Sequence, residues 1–119
     1  MVFIRPYYFP EGSEAYEIWK EAVANAARAY RALLTQGVRP EQARGVLPAD
    51  LKSEIVVTYN LREWRHFFKL RCSRAAHPQI RQIAIPTLLE FRKRIPVVFD
   101  DIEYDTGFPE KEYAVISYT

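Results

Sequence analysis

The chain has 119 residues, of which 49% are hydrophobic, 14% aromatic and 27% charged, a balance that excludes a disordered polypeptide and suits one small soluble domain. Its formal charge of +2 argues against a general affinity for nucleic acid or anionic membrane, and its single cysteine, Cys72, excludes an internal disulfide or a cysteine-cluster metal site. No apolar run approaches the ~20 residues that span a bilayer, and the first residues carry neither a basic leader nor a long apolar stretch, so a reducing, cytoplasmic setting with no membrane partner is expected.

In chain order, MVFIRPYYFP is aromatic, β-prone and punctuated by Pro6 and Pro10, which predicts an extended or edge segment. From Ser13 the pattern is helical. Ser13 can cap, Glu14 and Glu17 suit the positive end of the helix dipole, and Tyr16, Trp19, Val23, Ala26, Tyr30 and Leu33 form one apolar stripe. Gly37 stands where helices end, and the stripe is a packing face.

Pro40 can open a short helix through Glu41, Gln42, Ala43 and Arg44, broken at Gly45 and Pro48, so that Arg44 lands beside a turn. SEIVVTYN, from Ser53 to Asn60, alternates β-branched and polar residues and predicts a strand. A basic helix follows directly. The last helix is expected to begin between Ser73 and Pro78, to turn Ile80, Ile83, Leu88, Phe91 and Ile95 inward, to kink at Pro86 and to stop at Pro96. Beyond it lie an acidic turn at Asp100 and Asp101, expected to be solvated, and a candidate strand from Tyr113 to Tyr118; residues 103–119 otherwise carry no firm pattern.

The charge is unevenly spread. Arg62, Arg65, Lys69, Arg71, Arg74 and Arg81 against Glu63 give residues 60–81 a net +5, leaving −3 for the remainder. A local positive field in a nearly neutral protein fits an anionic ligand bound at one place. At 100° per residue, Asn60, Trp64, Phe67 and Arg71 share one side of the basic helix, and Arg62, His66 and Lys69 another. An arginine aligned with Trp64 and Phe67 either snorkels from the core or is aimed into a pocket.

Arginine suits planar, bidentate recognition of phosphate or of a pyrimidine's carbonyl edge, which makes Arg44, Arg62 and Arg71 candidates. His66, one turn after Arg62, can donate to the same anion or satisfy a buried polar contact, and His77 before Pro78 reads as a cap. Basic surroundings would lower the pKa of Cys72, but with no positioned partner it reads as a small buried residue. Phosphate-loop, dinucleotide-fold, zincin and nucleophile-elbow motifs do not occur, and no metal site is expected. A single-strand binder stacking bases on Trp64, Phe67 and Phe68 is disfavoured, because these aromatics share helical spacing with core positions.

The ordered series EQARGVLP, TYNLREWRHFFKLR, AAHPQIRQIA and IPVVFDDI resembles the C-terminal half of the flavin-dependent thymidylate synthases, over roughly residues 3–102. The resemblance implies reductive methylation of dUMP to dTMP with methylenetetrahydrofolate, FAD and NADPH. It implies that Arg44 and Arg71 contact dUMP, that Arg71 is catalytic by promoting ionisation of the uracil at N3, and that Asn60, Leu61, Arg62 and His66 contact FAD. It further implies a homotetramer with sites shared between subunits. The family's R-H-R…S signature does not occur in this sequence, so the expectation is a portion that needs copies of itself or a separate N-terminal half to complete the site. The alternative is a non-catalytic oligomerisation or nucleotide-binding module. The fold expected is α+β, a single helix-rich domain over 1–119 with long helices packed on a small partial sheet.

Overall fold

The computed structural model describes residues 1–117 and divides the chain into two compact units, Met1–Ile55 and Val56–Thr119. In the first unit, helix α1 runs Glu14–Thr35. Ser13 caps it by accepting the Tyr16 N–H at 3.1 Å, and Glu14 and Glu17 occupy its first turn. At the other end Gly37 takes a φ of +81°, and the N–H groups of Gly37 and Val38 return to the carbonyls of Leu34 and Leu33. This paired closure satisfies two of the last free carbonyls and needs the left-handed conformation that glycine adopts without strain. Val23 and Ala27 are buried, with Tyr16, Trp19, Ala26, Tyr30 and Leu33 half-buried beside them, so the expected stripe is the packing face.

Helix α2, Pro40–Ala43, starts on its proline and passes into a 3₁₀ turn at Arg44–Val46. The opening segment folds back on the end of this unit. The Ile4 N–H donates to Asp50 O and the Lys52 N–H to Val2 O, both at 2.8 Å, which makes one isolated antiparallel bridge between Phe3 and Leu51. Trp19 donates its indole N–H to Asp50 Oδ2 at 2.8 Å and ties α1 to the same place.

That bridge is all the sheet found among the described residues, which corrects the expected partial sheet. Ser53–Asn60 is irregular, with Ile55 85% and Val56 95% exposed. The β pattern is present in its side chains, but a strand exists only by pairing its backbone groups, and no described residue pairs with these.

The second unit is built on α3, Leu61–Arg71, and α4, Pro78–Arg94, packed against each other. Trp64, Phe67 and Phe68 from α3 meet Phe91 from α4 and Phe99 beyond it. Their ring centroids lie 5.0–5.7 Å apart in mostly edge-to-face pairs, a favourable arrangement for aromatic quadrupoles. Phe68 and Phe99 are fully buried. His77 caps α4, its Nδ1 accepting the Gln79 N–H at 3.2 Å, as its place before Pro78 predicted.

Ile80, Leu88, Phe91 and Ile95 are inward or half-buried, but Ile83 is exposed, contrary to expectation. At 100° per residue it sits about a third of a turn off the stripe centred on Ala84 and Leu88. Pro86 lies inside α4 and is buried.

Residues 96–117, which offered little pattern, are closely docked on α3 and α4. Pro86 has no N–H to give to Gln82 O, and that carbonyl instead accepts the Ala114 N–H at 2.9 Å. The Asp105 N–H donates at 2.8 Å to Cys72 O, one of the terminal carbonyls of α3 that has no partner within the helix. Arg92 donates to the carbonyls of Phe99, Asp100 and Ile102, and its guanidinium lies 5.3 Å from the Tyr104 ring centroid. Phe108 and Ile102 are buried under these contacts. A 3₁₀ turn at Glu110–Glu112 precedes the candidate final strand; residues 113–117 are not a strand, and Tyr118 lies outside the described residues.

Candidate functional site

The sequence drew a single positive field across residues 60–81; the fold sorts those charges into two sets. The first set is tied to the C-terminal segment. Arg65 forms a two-pronged ion pair with Asp101, 2.6 Å from Nη1 to Oδ1 and 2.7 Å from Nη2 to Oδ2, and also donates to Val98 O. Arg81 Nη1 lies 2.7 Å from Asp105 Oδ2, and Arg74 Nε lies 3.3 Å from Oδ1 of the same carboxylate. The turn at Asp100 and Asp101 is therefore not merely solvated. Asp101 is ion-paired and Asp100 Oδ2 accepts the Val97 N–H.

The electrostatic consequences follow the geometry. The hydrogen bonds from Arg65 hold the Asp101 carboxyl down to about 2, against a smaller opposing effect of desolvation. Burial pushes the Asp105 carboxyl up, but the hydrogen bonds from Arg81, the Gly107 N–H and Arg74 outweigh it and leave the group below the usual carboxylate range. Cys72 is fully buried, and burial pushes its thiol up to about 12, which removes it as a nucleophile at neutral pH and supports the structural reading.

The second set remains uncommitted. Arg62, His66 and Arg71 are exposed and make no hydrogen bond or ion pair among the described residues. Arg62 and His66 lie one turn apart, as their spacing requires. Arg71 lies at the last turn of α3, past the end of the aromatic cluster, and is exposed. Lys69 is also exposed but acts electrostatically on Asp101.

Asn60 has a structural duty in addition to any contact with ligand. Its Oδ1 accepts the Glu63 N–H at 2.9 Å and caps α3, while Tyr59 beside it stacks edge-on to Trp64 with centroids 5.0 Å apart. Leu61, the first residue of the helix, is exposed.

Arg44 belongs to the first unit. Its exposed side chain lines an open groove of about 450 Å³ with Tyr30, Pro40, Glu41, Leu47 and Leu51. An aromatic and two leucines flanking one unpaired arginine can accept a flat, partly apolar group bearing an anionic or carbonyl edge. The fold thus places Asn60, Leu61, Arg62, His66 and Arg71 on one helix and Arg44 in a separate unit. No group of three or more His, Cys, Asp or Glu side chains suited to a metal occurs among the described residues.

Sequence reasoning missed the residues that organise this surface, chiefly Asp101, Asp105 and Arg92. Two acids after a proline stop, and an Asp-Thr-Gly turn at residues 105–107, were the only local signals, and neither names its arginine partner.

Comparison with known proteins adds an independent line. The family model for thymidylate synthase complementing protein matches residues 2–97. The flavin-dependent thymidylate synthase of Pyrococcus abyssi is 42% identical over 92 residues, covering 77% of this chain and 38% of that protein. That of Pyrococcus furiosus is 40% identical over 92 residues, with the same coverage, and that of Geobacter sulfurreducens is 41% identical over 85 residues, covering 71% of this chain and 37% of that protein. The chain therefore spans less than two fifths of the length of these relatives. Among the described residues, no helix is long and apolar enough to cross a membrane.

Proposed function

This chain belongs to the flavin-dependent thymidylate synthase family, and from that premise we propose that it supplies one portion of a site for reductive methylation of dUMP to dTMP with methylenetetrahydrofolate, NADPH and FAD. One observation carries the reading: of the arginines on the basic helix and the turn after it, Arg62 and Arg71 have no hydrogen-bond or ion-pair partner among the described residues, while Arg65 and Arg74 are tied to carboxylates.

FAD is an anionic dinucleotide, and the donors of Arg62 and His66, exposed one turn apart at the start of a capped eleven-residue helix, fit its phosphates or ring edge. Asn60 and Leu61 at the helix entrance complete that contact. The flavin supplies the redox chemistry when bound. Arg71 holds the uracil edge of dUMP. Its guanidinium cannot lose its proton, so it favours negative charge at N3 and makes the ring a better nucleophile toward the methylene group. Arg44, in its groove with Tyr30 and Leu47, holds dUMP by an ion pair to phosphate or a fork to the base.

The remaining contacts come from copies of this chain, a longer parent or a separate polypeptide. The largely exposed Ile55–Tyr59 stretch supports such association, since its backbone, unpaired among the described residues, and its apolar side chains are suited to a partner strand. A reducing cytoplasmic setting is compatible with the single buried thiol.

The test is a titration of FAD into the 119-residue chain followed by flavin fluorescence, with and without dUMP. Saturable quenching that weakens in Arg62→Ala, and dUMP binding that weakens in Arg71→Ala, support the proposal. Absence of binding in every condition turns the reading to a non-catalytic assembly module.

A further inference from the structure

The segment that grips α3 and α4 lies outside the part of the chain matched by the family model, which ends at residue 97. Within that segment Asp105 is bonded to the end of α3, to the turn beyond it and to α4. The Asp105 side chain is 6% exposed and uses both oxygens. Oδ1 accepts Arg74 Nε at 3.3 Å and the Gly107 N–H at 3.0 Å, and Oδ2 accepts Arg81 Nη1 at 2.7 Å. Its backbone N–H donates to Cys72 O at 2.8 Å.

These contacts bracket Arg71. Cys72 follows it directly and forms the C-cap of α3, while Arg74 stands in the turn just beyond. The end of a helix is where backbone hydrogen bonds run out and fraying begins, so an exposed side chain in the last turn keeps its direction only if something outside the helix holds that end. Asp105 holds it twice, once by the backbone at Cys72 and once by the side chain at Arg74, and anchors both to α4 through Arg81. The guanidinium of Arg81 is further fixed 5.6 Å from the Phe108 ring centroid, and its Nε is buried without an acceptor among the described residues, so Asp105 is its principal polar partner.

Arg74 and Arg81 share that one carboxylate, while Lys69 and Arg71 are the exposed cations of the last turn of α3. Without Asp105 the two arginines lose their shared partner and the helix end loosens.

We propose that Asp105 is a positioning residue for Arg71, holding the end of α3 so that this arginine meets dUMP in one fixed orientation. The proposal rests on the functional reading above. Arg65–Asp101 provides an internal control, because it is another ion pair made by the same segment, to an arginine near the middle of α3 and away from its end.

The experiment measures dUMP affinity, thermal stability and amide hydrogen exchange for the 119-residue chain and for Asp105→Asn, Asp105→Glu and Asp101→Asn. Asp105→Asn keeps the shape and the backbone bond to Cys72 but removes the charge. The expected result is about a tenfold loss of dUMP affinity in Asp105→Asn, partial recovery in Asp105→Glu, and less than about a twofold change in Asp101→Asn. Exchange in Asp105→Asn should accelerate at the amides of residues 69–72 and not along α4. Equal losses in both asparagine variants, or a loss that follows only the melting temperature, overturns the proposal.

If the unmodified chain binds no dUMP, the functional reading fails by itself, and exchange alone decides the role of Asp105. Acceleration confined to the last turn of α3 upholds the anchoring, and a uniform change overturns it. Should Asp105→Asn not fold, Arg74→Ala carries the question, because that side chain is 82% exposed and its loss leaves the core intact. It should weaken dUMP binding about threefold at unchanged melting temperature, and no weakening overturns the proposal.

Discussion

Arg65 and Asp101, separated by 36 positions in the sequence, meet in a parallel fork with both guanidinium nitrogens within 2.7 Å of the carboxylate oxygens. This geometry is the strong form of an ion pair, fixed in direction as well as charge. It takes from the basic helix one of the arginines that the sequence assigns to a ligand field, and it ties residues 96–102 to α3. The uncommitted arginines of α3 are therefore fewer than the sequence suggests: Arg62, one turn from His66, and Arg71 on the opposite side of the helix.

Acid should destabilise the second unit. Asp101 and Asp105 both titrate below the ordinary carboxylate value in the folded state, Asp101 at about 2. A group with a depressed folded pKa adds stability that is fully present above its unfolded value, near 4, and is lost as pH falls through the folded value. Urea midpoints should thus be flat from neutral pH to about pH 5 and fall between about pH 4 and pH 2. Asp101→Asn should make that fall shallower, and an unchanged slope in the variant would show that the ion pair is not what titrates.

Asn60 separates folding from binding. Its cap on the Glu63 N–H makes Asn60→Ala cost about 1 kcal/mol, whereas serine can accept the same bond. Asn60→Ser should therefore melt within about 1 °C of the parent but bind FAD more weakly, because the amide donor is gone. If Asn60→Ser binds FAD as tightly as the parent, the residue acts only as a cap.

Val97 carries a φ of 78° in the reversal after α4, where its N–H meets Asp100 Oδ2 at 3.2 Å. A β-branched residue in that region is strained, and this side chain is largely exposed, so little packing opposes its removal. Val97→Gly should raise stability by about 1 kcal/mol, after allowing for glycine's freedom in the unfolded chain. Chemical denaturation with an unchanged slope is the measurement, and a loss of stability would contradict the assigned conformation.

Phe68 is the centre of the aromatic cluster, fully buried and in ring contact with Trp64, Phe67, Phe91 and Phe99. Phe68→Ala should cost about 3–5 kcal/mol and unfold the second unit at moderate temperature, whereas Phe68→Leu should cost less than half of that. Near-ultraviolet circular dichroism follows the loss, since the surrounding rings lose their fixed packing.

The helices were legible because their signals are local. Ser13 and Asn60 cap by reaching three residues forward, Pro40 and Pro78 open helices by their own ring geometry, Gly37 ends α1 by its own backbone freedom, and the apolar stripes repeat within each segment. Family motifs are equally local, so Arg44, Arg62 and Arg71 could be singled out as candidates, and their exposure is what a binding role requires. The strand at Ser53–Asn60 misled because alternation describes what a chain would bury if paired, while pairing depends on residues elsewhere.

The C-terminal segment shows what sequence alone could not decide. The partner of Asp105 is Arg81, 24 positions earlier, and the acceptor of the Ala114 N–H is Gln82, available only because Pro86 cannot fill it. Each of these bonds joins groups whose sequence spacing carries no signal, and each is made when α3 and α4 come together. The sequence by itself determined which segments are helical and which arginines resemble ligand-binding ones. The tertiary structure decided which arginines of residues 60–81 are tied to carboxylates, Arg65, Arg74 and Arg81, because an ion pair is set by distance in space.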